Sequence, residues 1–192
     1  MKLFGPLRRL SQPLSRLRGF TLVELMVVLA LAAILALIAA PAFTEIINLT
    51  RRRAYANQLY EDLAFARNEA IKRGVPVTAC PSTDGTTCSG AATWSSGWIV
   101  FVDPTSVGNP AAGSVLKVHE PLASGWIATK NNNSLPFGHP YVSYGALGTP
   151  GGGTNFRLAI CPASANCDTT TQSNQTNLVM TGLGRIRIDT FN

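Results

Sequence analysis

The sequence predicts an α+β fold: one long N-terminal helix laid against a β-rich C-terminal head of antiparallel sheets. Three observations predict it. A long apolar run is followed by an amphipathic helical stripe, the composition changes after Gly74, and eight short β-type runs separated by turn residues follow. The expected organisation is a basic leader over 1–19, a membrane and assembly half of the helix over 20–42, an amphipathic half over 43–74, and a head over 75–192 that forms one domain with 43–74.

The leader carries Lys2, Arg8, Arg9, Arg16 and Arg18 and no acid. From Leu25 to Ala42 no side chain is charged or hydrogen-bonding, enough at about 1.5 Å per residue to cross most of a roughly 30 Å hydrocarbon core. Positive charge ahead of such a run keeps the N-terminus cytoplasmic and places the head on the far side of the membrane. A secretory signal cleaved near Ala40-Pro41-Ala42 and a permanent single-span anchor both fit this much. Neither explains Glu24, a carboxylate at the edge of the apolar run, which is costly at membrane depth and needs a partner there.

Gly19-Phe20-Thr21-Leu22-Val23-Glu24 resembles the prepilin leader junction of type IV pilins and pseudopilins. The resemblance implies cleavage after Gly19 by a prepilin peptidase, N-methylation of Phe20, and a role for Glu24 in assembly, its carboxylate pairing with the free amino group of a neighbouring subunit. Pro41 sits where pilins carry a helix-bending proline, its missing N–H freeing a carbonyl.

Past Pro41 the helical period continues to about Arg73. Leu59, Leu63, Ala66, Ala70 and Ile71 form an apolar stripe, with Arg52, Arg53, Glu61, Asp62, Arg67, Glu69 and Lys72 mostly elsewhere. Gly74 and Pro76 stop the helix. Strands are expected at Val75 to Cys80, Trp98 to Val102, Val115 to His119, Trp126 to Thr129, Tyr141 to Tyr144, Phe156 to Cys161, Leu178 to Thr181 and Arg185 to Ile188, between Gly, Pro, Asn, Ser and Thr clusters. Within them GWIVFVD (97–103), LKVHEPL (116–122), FRLAIC (156–161) and GRIRI (184–188) are similar to the GspH/FimT branch of minor pilins and pseudopilins, most like FimT. That resemblance covers nearly the whole chain from Gly19 and implies the type IV pilin-like fold.

The net charge of +6 comes from sixteen Lys and Arg against ten Asp and Glu. Removing the five leader cations leaves eleven against ten, so a whole-domain field for nucleic acid is excluded and only local patches remain. One patch is Arg51, Arg52 and Arg53 with Lys72 and Arg73, of which the triple arginine reads first as a solvated collar. The other is Arg185 and Arg187. Two residues apart on a strand, they share one face, while Ile186 and Ile188 take the other. Guanidinium forks suit phosphate, although ordinary solvent-facing arginines show the same alternation. GRIR also matches the GRxR pattern of FimT-like minor pilins, which implies binding of extracellular DNA through Arg185 and Arg187, with Gly184 as the turn residue. Related pseudopilins end in similar strands, so the motif does not separate the branches.

Cys80 and Cys88 flank one short loop, and Cys161 and Cys167 another. Two local disulfides, Cys80–Cys88 and Cys161–Cys167, are the simplest pairing in an oxidising compartment, with a Cys80–Cys161 bridge as the rival. The spacings do not suit zinc.

No catalytic set, cofactor or metal is expected. His119-Glu120 begins an HExxH, but Ala123 replaces the second histidine. His139 lies in a turn, Gly151, Gly152 and Gly153 read as a flexible loop without a phosphate-binding lysine, and the Asn-x-Ser/Thr matches at Asn48, Asn132 and Asn174 read as chance. Trp94, Trp98 and Trp126 read as core or rim anchors, an exposed one near Arg187 being able to stack on a base.

The expectation is therefore a non-enzymatic minor type IV pilin, anchored in a bacterial inner membrane with its head in the periplasm and reaching the pilus on assembly. Its partners are other pilin subunits, the prepilin peptidase, membrane lipid before assembly, and the DNA phosphate backbone, bound weakly. The alternative is a purely structural minor pilin or type II secretion pseudopilin that primes or caps the filament without touching DNA.

Overall fold

A computed structural model describes residues 19–91, 93–130, 140–151, 156–165, 167 and 175–191. Residues 1–18, Asn132, His139, Gly152, Gly153 and Asn174 lie outside the described residues. Two compact units are present, Met1–Thr44 and Glu45–Asn192.

Helix α1 spans Leu22–Arg73. Thr21 caps it, its Oγ1 accepting the Glu24 N–H at 3.2 Å, and Pro41 falls within it. At the other end Gly74, at φ 66°, donates its N–H to Ala70 O at 3.0 Å, the left-handed stop that only glycine adopts without strain.

In the Glu45–Asn192 unit eight strands follow: β1 (Val77–Pro81), β2 (Trp98–Val102), β3 (Val115–His119), β4 (Trp126–Lys130), β5 (Val142–Tyr144), β6 (Phe156–Pro162), β7 (Gln175–Met180) and β8 (Ile186–Phe191). Two four-stranded antiparallel sheets result, ordered β3-β2-β1-β5 and β4-β6-β7-β8. Their inner faces close on the helix stripe, so Ala56, Leu59, Leu63, Ala66 and Ala70 share one core with Val77, Trp98, Val100, Tyr144, Leu158, Ile160 and Leu178. A smaller cluster of Cys80, Ile99 and Phe101, joined by Cys88, Val115 and Tyr141, fills the opposite face of the first sheet. Disulfides join Cys80 to Cys88 and Cys161 to Cys167, with Cα atoms 5.6 and 5.8 Å apart.

Three helix positions differ from the expected stripe. Arg52 and Asp62 are buried and Ile71 is half exposed. Arg52 precedes Ala56 by four residues and Leu59 by seven, which puts it on the core-facing line whatever its charge. It is therefore not part of a solvated collar, although Arg51 and Arg53 are exposed. Asp62 is drawn inward by two partners from the first sheet. Its Oδ2 accepts the Trp98 Nε1–H at 2.8 Å, and Oδ1 pairs with Lys117 Nζ.

Candidate functional site

At the N-terminal end Gly19 and Phe20 precede the helix, and Phe20 is exposed. Thr21 and Glu24 stand at capping-box spacing, with the acid in the first turn, where the positive end of the helix dipole favours it. Behind them the large apolar side chains from Leu22 to Ile38 are more than half exposed. An apolar surface of this extent marks a segment covered by lipid or by other chains, and the helix is long and apolar enough to cross a membrane.

At the other end of the sequence the turn into β8 is tightly held. Thr181 N–H donates to Arg185 O (2.9 Å) and Gly184 N–H to Thr181 O (2.8 Å). Gly184 sits at φ 76°, and a Cβ there would lie 3.1 Å from both Gly148 O and Pro150 Cδ, so the turn needs glycine for conformation and for space. Arg67 Nη1, from α1, donates to Gly184 O at 3.3 Å. The helix thereby fixes the turn that launches β8.

Strand β8 is an edge strand that begins at Ile186, one residue later than expected, so Ile186 and Ile188 pack against the core, Arg187 is exposed on the strand, and Arg185 is exposed at the end of the turn before it. Arg187 Nε lies 3.1 Å from Asp189 Oδ2. Arg185 has no acidic partner among the described residues. The other basic patch is weaker. Lys72 and Arg73 both reach Glu69, whose carboxyl is held below the usual range by its hydrogen bond with Arg73, and Arg52 is buried.

The chain matches two families: type II transport protein GspH over residues 55–184, and the prokaryotic N-terminal methylation motif over residues 14–40. The chain belongs to the GspH family. Among solved structures it is similar to the type IV minor pilin FimU of Pseudomonas aeruginosa, seen in two crystal forms. One has 20% identity and a TM-score of 0.55, covering 73% of this chain and 89% of that one. The other has 19% identity and a TM-score of 0.52, covering 71% and 91%. The minor pseudopilin EpsH of Vibrio cholerae has 12% identity and a TM-score of 0.49, covering 74% and 98%. The fold is type IV pilin-like, and the chain is a minor pilin or pseudopilin of GspH type.

In this GspH-family head the tryptophans serve the core. Trp94, Trp98 and Trp126 are buried, so none offers a base-stacking surface beside Arg187. His119 stacks on Trp98, ring centroids 3.7 Å apart, with Nδ1 2.8 Å from Glu120 O. It borders an open cleft of about 230 Å³ that Ser82, Asp84, Val118 and Glu120 also line. The Asp84 carboxylate is occupied by Thr87 Oγ1–H and the backbone N–H groups of Thr87 and Thr86, which hold its pKa well below the usual range. Among the described residues no group of three His, Cys, Asp or Glu is placed to hold a metal. Sequence reasoning missed the long-range contacts of Arg67 and Asp62. Their only signal was a charge close to an apolar stripe.

Proposed function

We propose that this chain is a FimT-like minor type IV pilin that assembles into a pilus and binds extracellular DNA, without sequence preference, for uptake in natural transformation. The observation that carries this is the arrangement of Arg185 and Arg187. Both are exposed, Arg187 on the solvent face of edge strand β8, whose other face is fixed in the core, and Arg185 at the end of the turn just before it, a turn anchored by Gly184 and Arg67. Two guanidinium groups so held meet phosphates without reading bases. Two to four phosphate contacts give weak binding with a log–log salt slope of roughly −2 to −4, so capture draws on several subunits in a filament.

In this reading a prepilin peptidase cuts after Gly19, Phe20 is methylated, the apolar helix rests in inner-membrane lipid with the head in the periplasm, and Glu24 pairs with a neighbouring subunit during assembly. The second reading, a type II secretion pseudopilin or a structural minor pilin that touches no DNA, is favoured by the family's description as a type II transport protein. DNA retardation by the full chain in nonionic detergent, across a salt series, separates them. Binding at low salt that is lost in Arg185→Gln plus Arg187→Gln is expected. Unchanged binding in the double variant overturns the site, and no binding by the wild type leaves the structural reading.

A further inference from the structure

Strand register places a third arginine on the same face. Arg157 of β6 pairs with Val179 of β7, and Val179 pairs with Arg187 of β8. Directly opposed residues project to one face of a sheet, so Arg157, Val179 and Arg187 form one row across three strands. Val179 is 9% exposed, a low apolar floor between two cations. Arg157 is half-buried and, like Arg185, has no acidic partner among the described residues. An arginine there covers apolar surface with its stem and leaves its head outward. Among the described strand residues of β6, β7 and β8 the face thus carries Arg157 and Arg187 against Asp189 alone, with Arg185 exposed one residue before β8.

The spacing is two-dimensional. Arg185, one residue before β8, and Arg187 stand two residues apart, about 7 Å at the extended rise, and Arg157 stands about 10 Å to the side of Arg187, two strand intervals away. A single row of phosphates follows the first pair. The third arginine is displaced sideways by a distance of the order of a DNA groove, roughly 6 to 12 Å wide.

We infer that Arg157 is a third phosphate contact, meeting the second backbone of duplex DNA while Arg185 and Arg187 hold the first. The inference rests on the DNA-binding reading above and adds to it a preference for duplex over single strands. Nothing in the residues around Arg157 announces it, because FRLAIC reads as a core strand; only the register brings it beside Arg187.

The test measures fluorescence anisotropy of labelled duplex and single-stranded oligonucleotides with the full chain in nonionic detergent, across a salt series. Arg157→Gln is expected to weaken duplex binding severalfold at low salt and to reduce the salt slope by about 0.9, the value of one contact. Arg157→Lys keeps the slope, which separates loss of charge from loss of folding. Single-strand affinity falls less than duplex affinity. A duplex slope unchanged in Arg157→Gln, with Arg185→Gln still lowering it, overturns the inference and leaves the two-arginine site standing. Equal losses on both probes overturn the two-backbone placement. A wild type that binds neither probe removes the DNA-binding reading itself and this inference with it.

Discussion

Asp189 follows Arg187 by two residues on the same face of β8 and holds its Nε at 3.1 Å. The Arg187 side chain remains 64% exposed, so the pair itself contributes little to stability. Its consequence for a polyanion is larger, because the carboxylate both occupies one guanidinium donor and repels the incoming phosphate. Asp189→Asn is therefore expected to tighten DNA binding severalfold at low salt, the gain fading as salt is raised. An anisotropy titration of the variant against the wild type checks this, and unaltered affinity places Arg187 outside the contact. The face that Arg187 takes was legible in the sequence, since alternation on a strand needs only neighbouring residues. Asp62 was not legible, because the Trp98 and Lys117 groups that draw it inward stand 36 and 55 positions away in the chain. Arg52 was misread for a different reason. Its charge outweighed its position in a helical count, yet the structure buries it to 2% exposure, with Nε and Nη1 lacking hydrogen-bond partners among the described residues, a local cost that the large shared core tolerates.

Strand β4 carries a charge on its buried face. Lys130 is 4% exposed, and burial pushes its pKa down to about 8 from an ordinary value of 10.5. Between those values the unfolded chain holds a proton that the folded one has released, so stability rises with pH from about 8 to about 10. Below 8 both states are protonated and the penalty is present in full. Tyr144 and Tyr141 act oppositely, because burial raises both phenols. Above about pH 10 the unfolded chain loses phenolic protons that the folded one keeps, and stability falls. Urea denaturation from pH 7 to 11 should show a rise and then a decline, with the rise flattened in Lys130→Met. A wild type whose stability is level across pH 8 to 10 contradicts the assignment. The strands were legible where branched and aromatic residues lie between turn formers, as in β2 and β3. β7 begins earlier than expected because Gln175, Thr176 and Asn177 look like loop residues but are buried. Thr176 and Asn177 pair on both sides, with β6 and β8, and Gln175 pairs with Phe191 of β8, which overrides local propensity.

Over the whole molecule the charge lies unevenly, with five of sixteen cations in the first nineteen residues and none of the acids. A protein that kept this leader would carry a basic end; one that loses it is close to neutral, so in the DNA-binding reading affinity depends on the placement of single arginines. The match to the N-terminal methylation motif spans residues 14–40 and so crosses the junction between Gly19 and Phe20. Intact mass spectrometry of protein extracted from the membrane of a cell carrying a prepilin peptidase is expected to show loss of residues 1–19 and one added methyl group. In the prepilin reading Gly19→Ala is expected to slow leader removal, which the same mass measurement reads as retained precursor. A mass beginning at Phe43 would instead mean an ordinary secretory signal cleaved after Ala42, which removes the apolar helix, Glu24 and the whole basis for filament assembly while leaving the Glu45–Asn192 unit and its arginines in place.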